Sequence, residues 1–377
     1  MKILLIGEYS KVHATLAEGL RERGHQVVVA SDGDHWKNYP RDIDLKRGNG
    51  AWDTASFAFR LAAALPKMRG YDIVQLINPM FLELTAARIR PIYHYLRKHN
   101  RAIVLGAFGM DYYWVNECDT RRQLRYSDFN IGDTLRMDDD AQKERKDWIG
   151  TEKETLNKLI ASQCDAIVAG LYEYWTCYQP IFPEKTTFIP YPINVAQLQN
   201  HQEDEPKTHS QDKRIKLFIG INKQRSAYKG TDIMLRAAQR IATRYPDDIE
   251  LRVAENIPYD EYQKLMDSSD VILDQLYSYT PAMNALTAMA KGLVCVGGGE
   301  PENYDIINEQ QLRPIINVLP DEESVYSQLQ WLINNREQLP RLKAESIEYI
   351  SRHHDHSIVA QAYEQLYRQI LGKHKKT

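Results

Sequence analysis

The sequence predicts an α/β protein made of two Rossmann-like, doubly wound domains facing each other across a cleft. Three observations predict it. Short, nearly continuous apolar runs recur along the chain and alternate with longer amphipathic stretches, as buried parallel strands and their crossover helices do. A polar stretch without an apolar residue, Gln199–Arg214 (QNHQEDEPKTHSQDKR), divides the chain into halves. At 377 residues the chain is long enough for about two domains, each with its own core.

The first half opens as a βαβ unit. Lys2–Ile6 (KILLI) is almost wholly apolar, as a strand covered on both faces should be. Val12–Arg23 carries Leu16, Ala17 and Leu20 at helical spacing and stops at Gly24. Gln26–Ala30 (QVVVA) is the second strand, and further strands are expected at Ile73–Ile77, Ala102–Gly106, Ala166–Ala169 and Phe188–Pro190. Gly7-Glu8-Tyr9-Ser10 lacks the second and third glycines of G-x-G-x-x-G, which disfavours a dinucleotide-binding first domain.

Past the polar join, strands are expected at Lys216–Ile221, Glu250–Ala254, Val271–Leu276, Leu293–Val296 and Pro314–Val318. Helices fill the gaps, and Ser324–Ile333 and Ser357–Leu371 finish the chain. The boundaries read 1–198 for an N-terminal domain, 199–214 for a linker, 215–355 for a C-terminal domain and 356–377 for a last helix.

Chemistry concentrates after two strands of the second half. Lys216–Ile221 (KLFIGI) gives way to Asn222–Tyr228 (NKQRSAY), then Lys229-Gly230, then a helical stretch Thr231–Arg244. Arg225 and Lys229 thus lie four residues apart on a loop between a strand and a helix, a place where open α/β sheets bind ligands and a helix N-terminus adds partial positive charge. A diphosphate suits that pair; two solvated cations beside a turn glycine are the plainer reading. After Val271–Leu276, a helix is expected over Ala282–Lys291, with Thr280 as N-cap, Pro281 at the first helical position and Gly292 as the C-terminal stop. Gly297-Gly298-Gly299 follows the next strand and permits close backbone approach.

Together these residues resemble the retaining GT-B glycosyltransferases of the family 4 type, also called glycosyltransferase group 1. That family carries Gly-x(n)-Arg-x(3–4)-Lys-Gly before a helix, and Gly220, Arg225, Lys229 and Gly230 match it. Ala288-Met289-Ala290-Lys291-Gly292 matches the tail of its second element, Glu-x7-Glu followed by Ala-Met-Ala-x-Gly. Tyr279 and Thr287 stand where that element has its two glutamates, which the family uses on the donor sugar and the ribose. The likeness is strongest over about 215–300.

The resemblance implies that Arg225 and Lys229 hold the donor's diphosphate. It places Gly220, Gly230, Thr280, Ala282, Met283, Asn284, Thr287 and Ile257 around the donor, Ile257 near the base. No cofactor and no metal are implied, and the last helix is expected to pack back toward the N-terminal domain. Fixed cations aimed at charge developing on a leaving diphosphate stabilise the transition state more than the ground state. Glu300 and Glu302, after the glycine run, either replace the ribose glutamate or cap the turn.

The acceptor is expected in the first domain. Gly106–Trp114 (GAFGMDYYW) follows a strand, so Gly109, Asp111 and Tyr112 should reach the cleft. Asp111 is the candidate to orient or deprotonate the acceptor hydroxyl, and Tyr112 offers a flat face to a sugar; a turn with a capping carboxylate is the alternative for Asp111. Gly7 and His13 complete the acceptor candidates, His13 having a structural alternative.

Composition narrows the rest. A net charge of −3 argues against general nucleic-acid binding. MKILLIGEYS reads as a first strand rather than a signal peptide, and no apolar run approaches the ~20 residues that span a bilayer. Four scattered cysteines (Cys118, Cys164, Cys177, Cys295) fit a reducing cytoplasm. The basic residues Arg88, Arg90, Arg97, Lys98 and Arg101, with Lys373, Lys375 and Lys376, read as a solvated face and leave peripheral contact with the membrane's inner surface open. Asp138-Asp139-Asp140 is expected to start a helix, and His353-His354-Asp355-His356 to form a surface bend, neither being a metal site.

The function these readings point to is transfer of a sugar from a nucleotide diphosphate to a saccharide or lipid-linked saccharide acceptor in cell-surface polysaccharide synthesis. A non-catalytic sugar-nucleotide-binding partner protein and a nucleotide-sugar epimerase are the alternatives within the same fold. A two-domain solute-binding protein is the non-enzymatic one, weakened by the absence of an export signal.

Overall fold

Among the described residues fourteen strands carry the two sheets and one small ribbon: β1 Lys2–Ile6, β2 Gln26–Ser31, β3 Ile43–Asp44, β4 Ile73–Leu76, β5 Ala102–Ala107, β6 Asn130–Ile131, β7 Thr134–Leu135, β8 Ala166–Ala169, β9 Thr186–Phe188, β10 Ile215–Ile221, β11 Ile249–Glu255, β12 Val271–Leu273, β13 Val294–Gly297 and β14 Ile316–Asn317. The computed structural model describes residues 1–48, 50–203 and 213–374. These divide into two units. One comprises Met1–Arg121, Glu144–Pro192 and the chain from His356 onward; the other comprises Arg122–Lys143 and Ile193–Asp355.

The first unit holds a seven-stranded parallel sheet in the order β3-β2-β1-β4-β5-β8-β9. Ile3, Leu4, Leu5, Ile73, Val74, Ile103, Val104 and Ile167 are all fully buried, which explains the unbroken apolar runs. The helix Val12–Glu22 buries Leu16, Ala17 and Leu20 as its spacing predicts. The helix His356–Lys373 packs against it. A side chain at Gly19 would meet the His356 carbonyl oxygen at 2.5 Å, so only glycine permits that approach. β9 lies two residues upstream of the expected Phe188–Pro190. Thr186 and Thr187 are half-buried at an edge, so the strand lacks the apolar signature that marked the others.

The second unit holds a five-stranded parallel sheet, β11-β10-β12-β13-β14. Its core joins Leu217, Ile219, Val271, Leu273, Val294 and Val296 to Met234, Ala237, Ala238 and Ile241 of the helix Thr231–Arg244, and to Val325, Leu329 and Leu332 of the helix Glu322–Asn334.

Three expectations about organisation change. Residues 122–143, from the first half of the chain, belong to the second unit and contribute its β6–β7 ribbon. The 199–214 stretch begins inside a helix, Val195–Glu203, whose start is capped by Asn194 Oδ1 accepting the Gln197 N–H at 3.0 Å; residues 204–212 lie outside the described set. His353-His354-Asp355-His356 is not a surface bend, because His354 and His356 are buried. The His354 ring packs on Tyr349, His353 Nε2 meets Glu309 at 2.7 Å, and His356 Nε2 meets Glu22 at 3.1 Å. Asp138 does start a helix, accepting the Ala141 N–H at 3.0 Å ahead of Asp139–Trp148. Lys375 and Lys376 lie outside the described residues.

Candidate functional site

In each sheet the strand order reverses once, and the crevice beyond the strands' carboxyl ends at that point is where such sheets take ligands. In the second unit the reversal falls between β10 and β12. The connection after β10, expected as a loop, is a 3-10 turn Lys223–Arg225 followed by a short helix Ser226–Lys229, so it carries Arg225 and Lys229 at the ends of two helical turns; the segment after β12 carries Asp274.

Arg225 is exposed, with its guanidinium 5.2 Å from the Tyr228 ring. Lys229 is half-buried. Its ammonium acts on the carboxylate of Asp274, which also accepts the Ala282 N–H and the Asn284 side-chain amide. Burial holds the Asp274 pKa above its ordinary value, although all three partners act to lower it. Gly230 is required here: its φ is +70, and a Cβ would stand 2.8 Å from Leu276 Cβ. Gly220 leaves room for Tyr262, whose hydroxyl would lie 2.8 Å from an added Cβ and donates to Asn284 Oδ1 at 3.0 Å. Asp274, Asn284 and Tyr262 are thus linked beside Lys229. The sequence marked Asp274 by its place after a strand, but nothing in it announced burial.

The helix after β12 is Met283–Ala290, with Ala282 at its N-cap. Thr280 and Pro281 therefore stand outside it, contrary to expectation. Asp274 is the physical reason: its carboxylate reaches the Ala282 N–H and serves as the cap that Thr280 was expected to supply. Thr280 is buried, its carbonyl accepting the Ser278 hydroxyl at 2.6 Å. Thr287 Oγ1 turns back to the Met283 carbonyl at 2.7 Å. Met283 and Ile257 are half-buried.

Tyr279, at the first of the two glutamate positions, is almost fully buried. Its hydroxyl accepts the Arg125 N–H at 2.6 Å, and the Arg125 guanidinium lies 4.8 Å above its ring. Arg125 also binds Glu300 at 2.7 Å and Glu302 at 2.5 Å, while the Tyr126 hydroxyl donates to Glu300 at 2.5 Å. The guanidinium holds the Glu302 carboxyl below its ordinary range. Both glutamates are therefore engaged by residues 122–143. Arg136 of the same segment donates to the carbonyls of Ala227 at 2.8 Å and Tyr228 at 3.2 Å, and its guanidinium stacks 3.5 Å from the Tyr277 ring. It thereby fixes the loop that bears Arg225 and Lys229.

In the first unit the order reverses between β1 and β4. A cavity of about 680 Å³ lies there, lined by Gly7 and Glu8 after β1, Asp32 after β2, Ile77 and Phe81 after β4, and Glu83. Glu8 is buried at the start of the helix Val12–Glu22, its oxygens accepting the His13 N–H at 3.1 Å and the Ala14 N–H at 2.8 Å. Burial nonetheless pushes its pKa up to about 8, so Glu8 is a neutral acid at pH 7.

Two acceptor candidates are buried and hydrogen-bonded inside the first unit. His13 is fully buried, its Nδ1 2.8 Å from the Gly7 carbonyl and its Nε2 3.2 Å from Gln75 Nε2, with Tyr367 closing the chain onto Gln75 Oε1 at 2.7 Å. Burial lowers its pKa to about 3, so the ring is neutral, donating at Nδ1 and accepting at Nε2. Asp111 is fully buried as the N-cap of the helix Tyr112–Thr120, accepting the Trp114 N–H at 2.9 Å and the Tyr178 hydroxyl at 2.8 Å. Burial raises its pKa to about 6. The expected contact of Asp111 with an acceptor hydroxyl is corrected on this ground: the carboxylate faces the interior of its own unit. The Tyr112 ring is buried under Lys158, and Gly109 lies against Tyr9.

No family model matches the chain, and no curated protein matches it. Solved structures do. Sucrose-phosphate synthase from Thermosynechococcus elongatus aligns with a TM-score of 0.62 at 16% identity, over 99% of this chain and 100% of that one. The chain has the GT-B fold. HepE from Anabaena, solved with UDP and glucose, aligns at TM-score 0.56 and 11% identity, over 97% of this chain and 98% of that one. UDP-GlcNAc 2-epimerase from Neisseria meningitidis, bound to UDP-GlcNAc, aligns at 0.55 and 12%, over 98% and 100%. At such identities the likeness is one of fold. Among the described residues no helix is long and apolar enough to cross a membrane.

Proposed function

We propose that this GT-B protein is a glycosyltransferase that moves a sugar from a nucleoside diphosphate to a saccharide or lipid-linked saccharide acceptor, with retention at the anomeric carbon. The observation that carries the reading is the placement of Arg225 and Lys229 on the one connection between β10 and the helix Thr231–Arg244, at the strand-order reversal of the second unit. The bond from the anomeric carbon to the phosphate oxygen breaks with its electron pair going to that oxygen, a bond to the acceptor oxygen forms, and the acceptor hydroxyl's proton passes to the departing diphosphate. Charge grows on the departing diphosphate. Arg225 offers it a planar fork and Lys229 a compact ammonium. Asp274 holds Lys229 in place, and the main chain around Ala282, Met283 and Asn284 adds the partial charge of a helix start. The cavity of the first unit is assigned to the acceptor. Cell-surface polysaccharide synthesis is the setting this chemistry suits, with the protein in the cytoplasm.

A second reading, nucleotide-sugar epimerisation, is favoured by the buried Tyr279 where the resemblance places a donor-sugar glutamate, and by the 2-epimerase among the fold neighbours. Incubation with a panel of nucleotide sugars, with and without saccharide acceptors, separates the readings. Acceptor-dependent nucleotide release supports transfer, and interconverted sugars support epimerisation. Binding without turnover leaves a silent sugar-nucleotide-binding protein. Arg225→Ala should lower turnover on the order of 10²-fold or more while leaving the melting temperature unchanged, because that side chain is exposed. Full activity in that variant refutes the assignment.

A further inference from the structure

At the wall of the first unit's cavity three metal-capable side chains converge. Asp32, His35 and Glu83 each present one ligand atom, all within 4.8 Å of one another. His35 Nδ1 lies 3.5 Å from Asp32 Oδ2 and 3.0 Å from Glu83 Oε1. We infer that these residues form a binding site for one divalent first-row metal ion such as Zn²⁺ or Mn²⁺, with its remaining coordination positions open to the cavity.

The first argument is valence. Both carboxylates aim at the same ring nitrogen, and a ring nitrogen has at most one proton to give. The one proton on that nitrogen can therefore serve one of the two carboxylates, whereas a metal ion in its place binds all three. The second argument is distance. Nitrogen and oxygen ligands at about 2.0–2.2 Å from one ion lie about 3.0–3.5 Å from each other, which is the spacing of both His35 contacts.

The third argument is charge. The Asp32 and Glu83 side chains are 14% and 32% exposed, and among the described residues no lysine or arginine side chain forms an ion pair with either, although Arg47 acts on the Glu83 carboxylate through space. Lys37 is bound to Asp34, Arg41 to Asp44, and Arg47 donates to the main-chain carbonyl of Glu83. Asp32 is also held in position by accepting the N–H groups of Asp34 and His35, each at 3.2 Å. Two carboxylates and an imidazole suit zinc or manganese better than the all-oxygen sites of magnesium or calcium. The metal-free chemistry of Arg225 and Lys229 belongs to the other unit and is unaffected.

The test is calorimetric titration of the chelator-treated full chain with ZnCl₂ and with MnCl₂, without nucleotide, so the result stands apart from sugar transfer. One ion per chain should bind, with affinity reduced at least about tenfold in His35→Ala and in Glu83→Gln. Both substitutions lie at the cavity rim, and circular dichroism before titration verifies the fold. His353→Ala, which breaks another histidine–carboxylate pair in the second unit, should bind like the unsubstituted protein. Absence of stoichiometric uptake, or equal affinity in the His35 and Glu83 variants, overturns the assignment.

Discussion

Glu8→Gln should reverse the ranking of two proteins as pH rises. In the folded chain burial lifts the Glu8 pKa from 4.5 to about 8. Between those values the folded state holds a proton that the unfolded chain has released, so stability falls as pH rises. The contribution is complete below about 4.5 and gone above about 8. A difference of about 3.5 pKa units corresponds to about 5 kcal/mol. Glutamine removes the titration, but it presents an amide donor to one of the two helix N–H groups that Glu8 now accepts, which costs about 1–3 kcal/mol at every pH. The variant should therefore be the less stable protein at pH 4.5 by that amount and the more stable one at pH 9 by about 2–4 kcal/mol. Urea unfolding of both proteins, followed side by side by circular dichroism, reads the difference directly, because every shared titration cancels. A difference that stays constant from pH 4.5 to 9 refutes the reasoning; it would mean that the helix amides keep Glu8 ionised in spite of burial.

Two further outcomes follow from packing. Asp111→Ala should destabilise the chain by about 2–4 kcal/mol in urea titrations, losing the cap on Trp114 and stranding the buried Tyr178 hydroxyl; a variant that is inactive yet fully stable would return Asp111 to catalysis. Gly230→Ala should cost about 1–3 kcal/mol, since it forces a side chain into a left-handed backbone against Leu276 and Tyr277. It should also weaken nucleoside diphosphate binding measured by calorimetry, because Gly230 adjoins Lys229; unchanged stability and binding would show that the loop relaxes freely.

The strands were legible wherever the sheet is buried on both faces, because burial demands apolar residues without a break: KILLI, QVVVA and KLFIGI all became strands. β12 stops at Leu273 instead of Leu276 because the chain then turns to the Lys229 carbonyl, which accepts the Leu276 N–H at 3.0 Å, a tertiary contact that no run of residue types encodes. The place of Arg225 and Lys229 between a strand and a helix was legible from the apolar run before them and the helical spacing after; the short helix Ser226–Lys229 that carries Lys229 was not, because four residues hold no period. The roles of His13 and Asp111 were not, since residue type suggests chemistry while only packing shows that both are sealed inside and already bonded. Arg125 and Glu300 lie 175 residues apart, and nothing in either neighbourhood signals the other. Asp32, His35 and Glu83 escaped notice similarly, being brought together by two different strand ends.

Residues 122–143 give the chain an unusual bookkeeping. The polypeptide passes from one unit to the other at 121/122, 143/144, 192/193 and 355/356, so no single cut yields two complete folding pieces. A fragment spanning 193–355 would arrive without its ribbon, leaving Glu300 and Tyr279 stripped of the arginine that neutralises and covers them. Dissection, domain exchange or split-protein engineering must graft that detour along with the second sheet.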